Sequence, residues 1–266
     1  MTATHSPAPN GRVKTDAAPA NVKHLRGLPP VPTIATPGFR KTQVVAADAT
    51  ELREIAVVAG NPGLGKSFAV YHFVANQPLP WLWLDMPPKA SPKEIVVRVL
   101  RATTGACDQR LPVYELSDQL CDVLAAEPRI VVIDEAQHLD SHGLHQLRYL
   151  HDRPDADWAL IFAGGVGCEK VLAADPQLND RIAGRVKFSP LDDSTLLETL
   201  DAYSPFFAAA DRQLLLRVNQ VYARGIFRRW ARVLQAGTRL ASRAGTDRLT
   251  TDIARATIAK LQTEER

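Results

Sequence analysis

Residues 60–67 are Gly60-Asn61-Pro62-Gly63-Leu64-Gly65-Lys66-Ser67, a complete G-x-x-x-x-G-K-[ST] phosphate-binding loop. The stretch before it, residues 55–59, is uniformly apolar, which is typical of a strand buried on both faces. The apolar residues 68–74 after it predict a helix. In this strand–loop–helix setting, backbone N–H groups and the helix N-terminus point at a bound phosphate. The sequence therefore predicts a P-loop nucleotide-binding fold.

The loop predicts a site for a nucleoside triphosphate with its metal ion. The Lys66 amine is expected to reach the β and γ phosphates, and the Ser67 hydroxyl is expected to bind Mg²⁺. The expected cofactors are ATP and Mg²⁺. The expected nucleotide-binding residues of this segment are Gly60, Asn61, Pro62, Gly63, Leu64, Gly65, Lys66, Ser67 and Phe68.

A second motif follows 67 residues later, where the apolar strand 130–133 ends in Asp134 and Glu135. The carboxyl edge of an open parallel sheet is where ligands bind. Asp134 is expected to hold Mg²⁺, and Glu135 is expected to act as the general base toward the attacking water. Together with the phosphate loop, this pair predicts a Walker B motif.

The chain order of strands and helices predicts a parallel sheet sandwiched by helices. Apolar runs at 81–84, 129–133 and 158–163 predict further strands, and residues 91–101 and 114–126 predict helices. Past Pro190 only helical patterns remain. We expect a basic disordered arm over 1–30, an α/β nucleotide-binding domain over 31–189, and a small all-helical domain over 190–266.

Composition limits the class of protein that this sequence can encode. Of the 266 residues, 45% are hydrophobic and 23% are charged, as in a globular protein with a real core. No apolar run approaches the roughly 20 residues that span a bilayer, and no signal peptide is evident at the N-terminus. The three cysteines fit neither a disulfide framework nor a zinc site. A cytoplasmic protein is expected.

The net charge of +3 is unevenly distributed. Residues 1–41 carry six Lys/Arg against one acid, and residues 224–266 carry ten against four, so the middle of the chain is acidic. Positive ends of this kind can hold a polyanion, although a solvated basic surface would have the same composition.

The order of phosphate loop, Walker B motif, one further strand and helical lid resembles the AAA+ superfamily over about residues 32–262. Within it, the stretch Asp134-Glu135-Ala136-Gln137-His138-Leu139 and the compact size resemble the ATPases that select targets for DNA transposition, the MuB/TniB/TnsC group. The resemblance implies an ATPase that assembles as a ring or helical filament on double-stranded DNA, without sequence preference, and delivers target sites to a transposase. Helicase loaders of the IstB/DnaC type and ExeA-type ATPases are the alternatives.

The resemblance also implies two arginine positions. An arginine supplied to the next subunit's γ-phosphate normally lies shortly before the lid, where Arg181 and Arg185 are both candidates. A lid arginine usually follows a glycine by three residues. Arg228 fits this spacing after Gly225, with Arg229 as the second choice.

One position departs from the superfamily pattern. The fourth strand usually ends in a polar residue that orients the attacking water, whereas this chain has Ala163-Gly164-Gly165. Slow hydrolysis stimulated by a partner is therefore expected, with Gln137 or a backbone group as substitutes for the missing side chain.

The segment after the second strand is the candidate DNA contact. Related assemblies turn this region toward a central pore, so its basic groups could follow a duplex backbone. A solvated helix face would carry the same charges. The candidate residues are Lys89, Lys93, Arg98 and Arg101.

Overall fold

The computed structural model describes residues 33–264, so the predicted basic arm lies outside the described residues. The strands are β1 (Ile55–Gly60), β2 (Trp81–Asp85), β3 (Arg129–Asp134), β4 (Trp158–Gly164) and β5 (Ile182–Phe188). The helices are α1 (Pro37–Leu52), α2 (Lys66–Ala75), α3 (Pro92–Thr104), α4 (Val113–Ala125), α5 (Ser141–His151), α6 (Cys168–Leu172), α7 (Pro176–Asn179), α8 (Asp193–Tyr203), α9 (Pro205–Ala208), α10 (Arg212–Val218), α11 (Phe227–Arg243) and α12 (Thr251–Glu264).

The five strands form one sheet in the order β2-β3-β4-β1-β5, and each pair of neighbouring strands is parallel. All residues of β1, β3 and β4 are buried. Parallel strands that are covered by helices on both faces have this uniformly apolar character. The predicted parallel sheet sandwiched by helices is confirmed.

The edge strand β5 is not among the strands predicted from the sequence. Its exposed positions include Ala183 and Lys187, while Val186 and Phe188 are buried. It pairs with β1 alone and therefore needs to bury only part of its side chains. The short alternation of Arg185, Val186, Lys187 and Phe188 is the signal that could have identified it.

Two apolar clusters cover the two faces of the sheet. One lies under α3, α4 and α5 and includes Leu116, Ile133 and Phe162. The other lies under α1 and α2 and includes Val58 and Val70. Ser91 caps the start of α3, since its hydroxyl accepts a hydrogen bond from the Glu94 amide (3.2 Å).

A third apolar cluster belongs to the C-terminal helices, with Trp230 and Phe207 at its centre. These rings meet edge to face, with centroids 5.3 Å apart. The predicted helical segment past Pro190 is thus helical with a core of its own, while the domain limits themselves stay a prediction. Within residues 33–264, no helix combines the length and apolarity needed to cross a membrane.

His151, at the end of α5, gives the fold a testable pH dependence. Its ring meets the ring of Trp158 edge to face at 5.0 Å. Burial lowers the pKa of His151, with Arg181 adding to this effect and Asp152 opposing it. Below its ordinary pKa near 6.5, the unfolded imidazole takes up a proton that the folded one resists, so stability falls as the pH falls.

We expect His151→Phe, which keeps the ring contact, to lose less unfolding free energy than the parent protein between pH 7.5 and 5.5. Urea denaturation at both pH values measures this difference. Equal losses in the two proteins would show that His151 does not contribute to acid sensitivity.

Candidate nucleotide-binding site

The loop between β1 and α2 wraps closely because its glycines have backbone angles that other residues avoid. Gly63 and Gly65 have φ of +82° and +102°. A Cβ at Gly60 would lie 2.6 Å from the carbonyl oxygen of Phe188 in β5, so a side chain has no room there. The loop backbone is thereby held at the carboxyl end of β1, in front of the N-terminus of α2.

Lys66 begins α2, and its ammonium points back over the loop. Its Nζ donates to the backbone oxygen of Asn61 at 2.9 Å. Burial lowers the pKa of Lys66, and Arg228 adds to this, while Asp134 and Glu135 act in the opposite direction. A cation in this setting is poorly hydrated, and an incoming polyphosphate would supply the counter-charge.

Two carboxylates lie at the end of β3, facing this lysine. Asp134 is 3% exposed, and its Oδ1 accepts a hydrogen bond from the Glu135 amide at 2.9 Å. Glu135 has a left-handed backbone with φ of 54°. The Ser67 hydroxyl and the Asp134 carboxylate are oxygen donors of the type that Mg²⁺ prefers, so these residues fit the expected metal.

At the end of β4, an amide side chain from another segment occupies the space beside the two glycines. The amide oxygen of Gln137 accepts from the Gly165 N–H at 2.6 Å, and its Nε2 donates to Oε2 of Glu135. A Cβ at Gly164 would lie 2.8 Å from that amide oxygen. The Gln137 amide therefore occupies the space that a side chain at the end of the fourth strand would otherwise fill.

The C-terminal helices contact the phosphate loop directly. The Arg228 amide donates to the carbonyl of Gly63 at 2.9 Å, and a Cβ at Gly63 would lie 3.0 Å from side-chain atoms of Arg228 and Ile226. Arg229 instead donates to the Tyr222 carbonyl at 2.7 Å and lies over the Tyr222 ring. The structure thus places Arg228 at the loop and Arg229 within the helical segment.

These elements enclose a cleft of about 510 Å³. One end is polar and contains Lys66, Ser67, Asp134 and Glu135; the other end is formed by apolar and aromatic side chains. A nucleotide has the same division between its phosphates and its base. Sequence reasoning missed the residues of the apolar end, which come from separate segments: Ile34, Phe39, Phe188, Tyr203, Phe227 and Ala231.

Neither candidate for the intersubunit arginine lines this cleft. The carbonyl of Arg181 accepts from the amide of Ile55 at the start of β1, which is the opposite edge of the sheet from the phosphate loop. The Arg181 guanidinium pairs with Asp152 at 3.0 Å, and that of Arg185 donates to Asn179.

Three of the four candidate DNA contacts meet in a second, open cleft of about 690 Å³ beside β2: Lys93, Arg98 and Arg101. Asp85 and Glu94 line it as well, and Glu94 pairs with Arg98 at 2.9 Å. Lys89 is exposed and lies outside the residues that line this cleft. The cleft therefore has mixed charge.

Comparison with known proteins agrees with this geometry. Residues 49–172 match the family described as AAA domain. Over 122 residues the chain is 34% identical to the ATP-dependent target DNA activator B of Escherichia phage Mu, covering 44% of this chain and 39% of that protein. The chain thus spans well under half the length of this curated relative. The predicted resemblance is confirmed.

Solved structures with the same architecture include two archaeal proteins. The ORC2 protein of Aeropyrum pernix, in its ADPNP–ADP complexes, has a TM-score of 0.64 at 17% identity, covering 88% of this chain and 69% of that one. Cdc6p of Pyrobaculum aerophilum has a TM-score of 0.70 at 16% identity, covering 86% and 68%. At such identities the likeness shows the fold alone, and it agrees with the parallel sheet flanked by helices.

The site leads to a prediction for Lys66→Ala. ATP with Mg²⁺ at about 100 times its dissociation constant should stabilise the parent protein by about 2.7 kcal/mol. The variant should lose most of this gain, because it lacks the cation that faces the phosphates. Thermal unfolding with and without nucleotide measures the effect. Lys260→Ala, at an exposed position of α12, is the control, and an unchanged gain in Lys66→Ala would exclude the site.

Proposed function

We propose that this chain is an ATP-dependent DNA-binding ATPase that assembles on duplex DNA without sequence preference and delivers target sites to a transposase. The observation that carries the proposal is the convergence of Lys66, Ser67, Asp134 and Glu135 in one cleft with an aromatic end. The partial match to the phage Mu target DNA activator supports the DNA and transposase parts.

In the proposed reaction, water attacks the γ-phosphorus of ATP, and ADP and inorganic phosphate are released. Backbone N–H groups of residues 60–67 bind the phosphates, and Lys66 neutralises charge on the β and γ groups. Ser67 and Asp134 would hold Mg²⁺, which supplies further neutralisation of phosphate charge when bound. Glu135 accepts the proton from the attacking water.

The helical segment would couple nucleotide state to the position of neighbouring elements. Arg228 lines the cleft through its side chain and bonds to the loop through its backbone. A γ-phosphate that attracts this guanidinium would therefore hold α11 against the loop, and loss of the phosphate would release the helix.

A second copy of the chain would complete the site. Arg181 or Arg185 would exchange its present partner, Asp152 or Asn179, for the neighbour's γ-phosphate. ATP would then stabilise a ring or helical filament, because each nucleotide contacts two subunits. The rate per subunit should rise with protein concentration for the same reason.

Glu135→Gln tests the assigned general base. We expect hydrolysis to fall by about 10²- to 10⁴-fold, while ATP binding persists and the DNA-bound assembly no longer dissociates. Phosphate release and sedimentation with duplex DNA measure the two effects. Glu198→Gln, at an exposed position of α8, should behave like the parent. Normal turnover in Glu135→Gln would contradict the assignment.

The second cleft is proposed as the place where the duplex backbone passes. Lys93, Arg98 and Arg101 would contact phosphates, with Arg98 leaving Glu94 to do so. Such contacts carry no sequence information, and each releases about one counterion.

Binding of a random duplex should therefore weaken steeply with salt, and alanine at Lys93 or Arg101 should reduce the slope of log affinity against log salt by about one. Fluorescence anisotropy between low and physiological salt measures the slope. Arg212→Ala, an exposed arginine of α10, is the control. If both cleft variants kept the salt dependence of the parent protein, the duplex would not bind at this surface.

A further inference from the structure

The contacts at the end of β4 define an amide bridge, which consists of Gln137, the Glu135 carboxylate and the Gly165 N–H. Gln137 lies in the short 3-10 turn Ala136–His138 that follows β3, whereas Gly165 follows β4. The bridge thus joins two segments that the sheet places side by side. Gln137 also lines the nucleotide cleft.

The direction of the hydrogen bonds is decided by Gly165. Its backbone N–H can only donate, so it selects the oxygen of the Gln137 amide (2.6 Å). The Gln137 NH₂ group must then point the other way, and it donates to Oε2 of Glu135. One oxygen of the proposed general base, Oε2, is therefore held by Gln137, and the Glu135 side chain also lines the nucleotide cleft.

The Gln137 amide packs against two glycines, and at Gly164 it does so because a side chain is absent. At Gly164 a Cβ would lie 2.8 Å from the Gln137 amide oxygen and 2.8 Å from the Cβ of Cys168. At Gly165 the three atoms nearest to a Cβ all belong to Gln137, at 3.4 to 3.6 Å. The glycines and the glutamine therefore form one packing unit, in which the amide takes the place of a polar side chain on β4.

We propose that Gln137 is a positioning residue for ATP hydrolysis, which holds the Glu135 carboxylate so that Oε1 receives the proton of the attacking water. This inference rests on the proposed function, since it assumes that Glu135 acts as the base. Gln137, in the turn that follows the neighbouring strand β3, would thus do what the superfamily usually does with a polar side chain at the end of β4. Gln137 acts through Glu135, and the turnover rate is the quantity it controls.

A glutamine suits this task for a physical reason. Its amide both accepts and donates, so it can join an N–H donor to a carboxylate acceptor. A carboxylate at this position could only accept when ionised, and an aliphatic chain could do neither. Misplacing a catalytic group by about 1 Å can cost about 10²-fold in rate, which sets the size of the expected effect.

The test compares Gln137→Met and Gln137→Ala with the full-length parent protein. Gln137→Met keeps the length of the side chain and removes both hydrogen bonds, so packing is separated from positioning. We expect kcat to fall by about 10²-fold in both variants, with KM and the dissociation constant of a slowly hydrolysed ATP analogue within about twofold. Gln119→Ala, at an exposed position of α4, is the matched control.

A rescue variant makes the test sharper. A Cβ at Gly165 would make only ordinary contacts with Gln137, at 3.4 to 3.6 Å, so the double variant Gln137→Ala/Gly165→Ser tests whether a hydroxyl at the end of β4 can replace the amide. We expect the double variant to recover about tenfold of the roughly 10²-fold loss in kcat. If Gln137 had only a structural role, its loss would lower the thermal unfolding temperature together with kcat, and the serine hydroxyl would not restore kcat.

The outcomes distinguish the two levels of the proposal. A parent protein that binds the analogue but never hydrolyses ATP, alone or with duplex DNA, would overturn the proposed function itself. A hydrolysing parent with an unchanged kcat in Gln137→Met would overturn only the positioning assignment. A faster Gln137→Met would also overturn it, because the bridge would then restrain Glu135 from reacting.

Discussion

Parallel pairing of three fully buried strands is the constraint on which the remaining structure depends. β1, β4 and β3 lie side by side, with Ala59 opposite Gly164 and Ile133 opposite Phe162. Because the pairing is parallel, their carboxyl ends meet at one edge. The phosphate loop, the acidic pair and the glycines after β4 are thereby brought together from positions about one hundred residues apart in the chain.

Close backbone approach is the second consequence of this arrangement. Gly60 packs against the Phe188 carbonyl, and Gly63 packs against Arg228 and Ile226. The loop is therefore in contact with the edge strand on one side and with the first turn of α11 on the other. A change in loop conformation on nucleotide binding would therefore shift β5 or α11, because neither contact leaves free space.

The charges at the edge are arranged for a ligand that is itself highly charged. Lys66 is half-buried, which lowers the pKa of its amine, while the nearby carboxylates of Asp134 and Glu135 raise it. Asp134 is almost fully buried. Burying unlike charges together is costly unless each finds partners. Phosphates would supply partners for Lys66, and a divalent cation would supply a partner for the carboxylates. The amide bridge through Gln137 adds an uncharged donor, which orients Glu135 without neutralising it.

The sequence by itself determined the parts whose signal is local: the phosphate loop at residues 60–67, the acidic pair at Asp134 and Glu135, the buried strands and the helical C-terminal segment. Each depends on residues that are neighbours in the chain. Only the tertiary structure decided the edge strand β5, the aromatic end of the cleft, the placement of Arg228 rather than Arg229, and the contacts of Gln137. The edge strand shows only a short alternation from Arg185 to Phe188. The cleft and the contacts depend on residues such as Phe39 and Tyr203, whose proximity arises from packing of distant elements and leaves no periodic trace in the sequence.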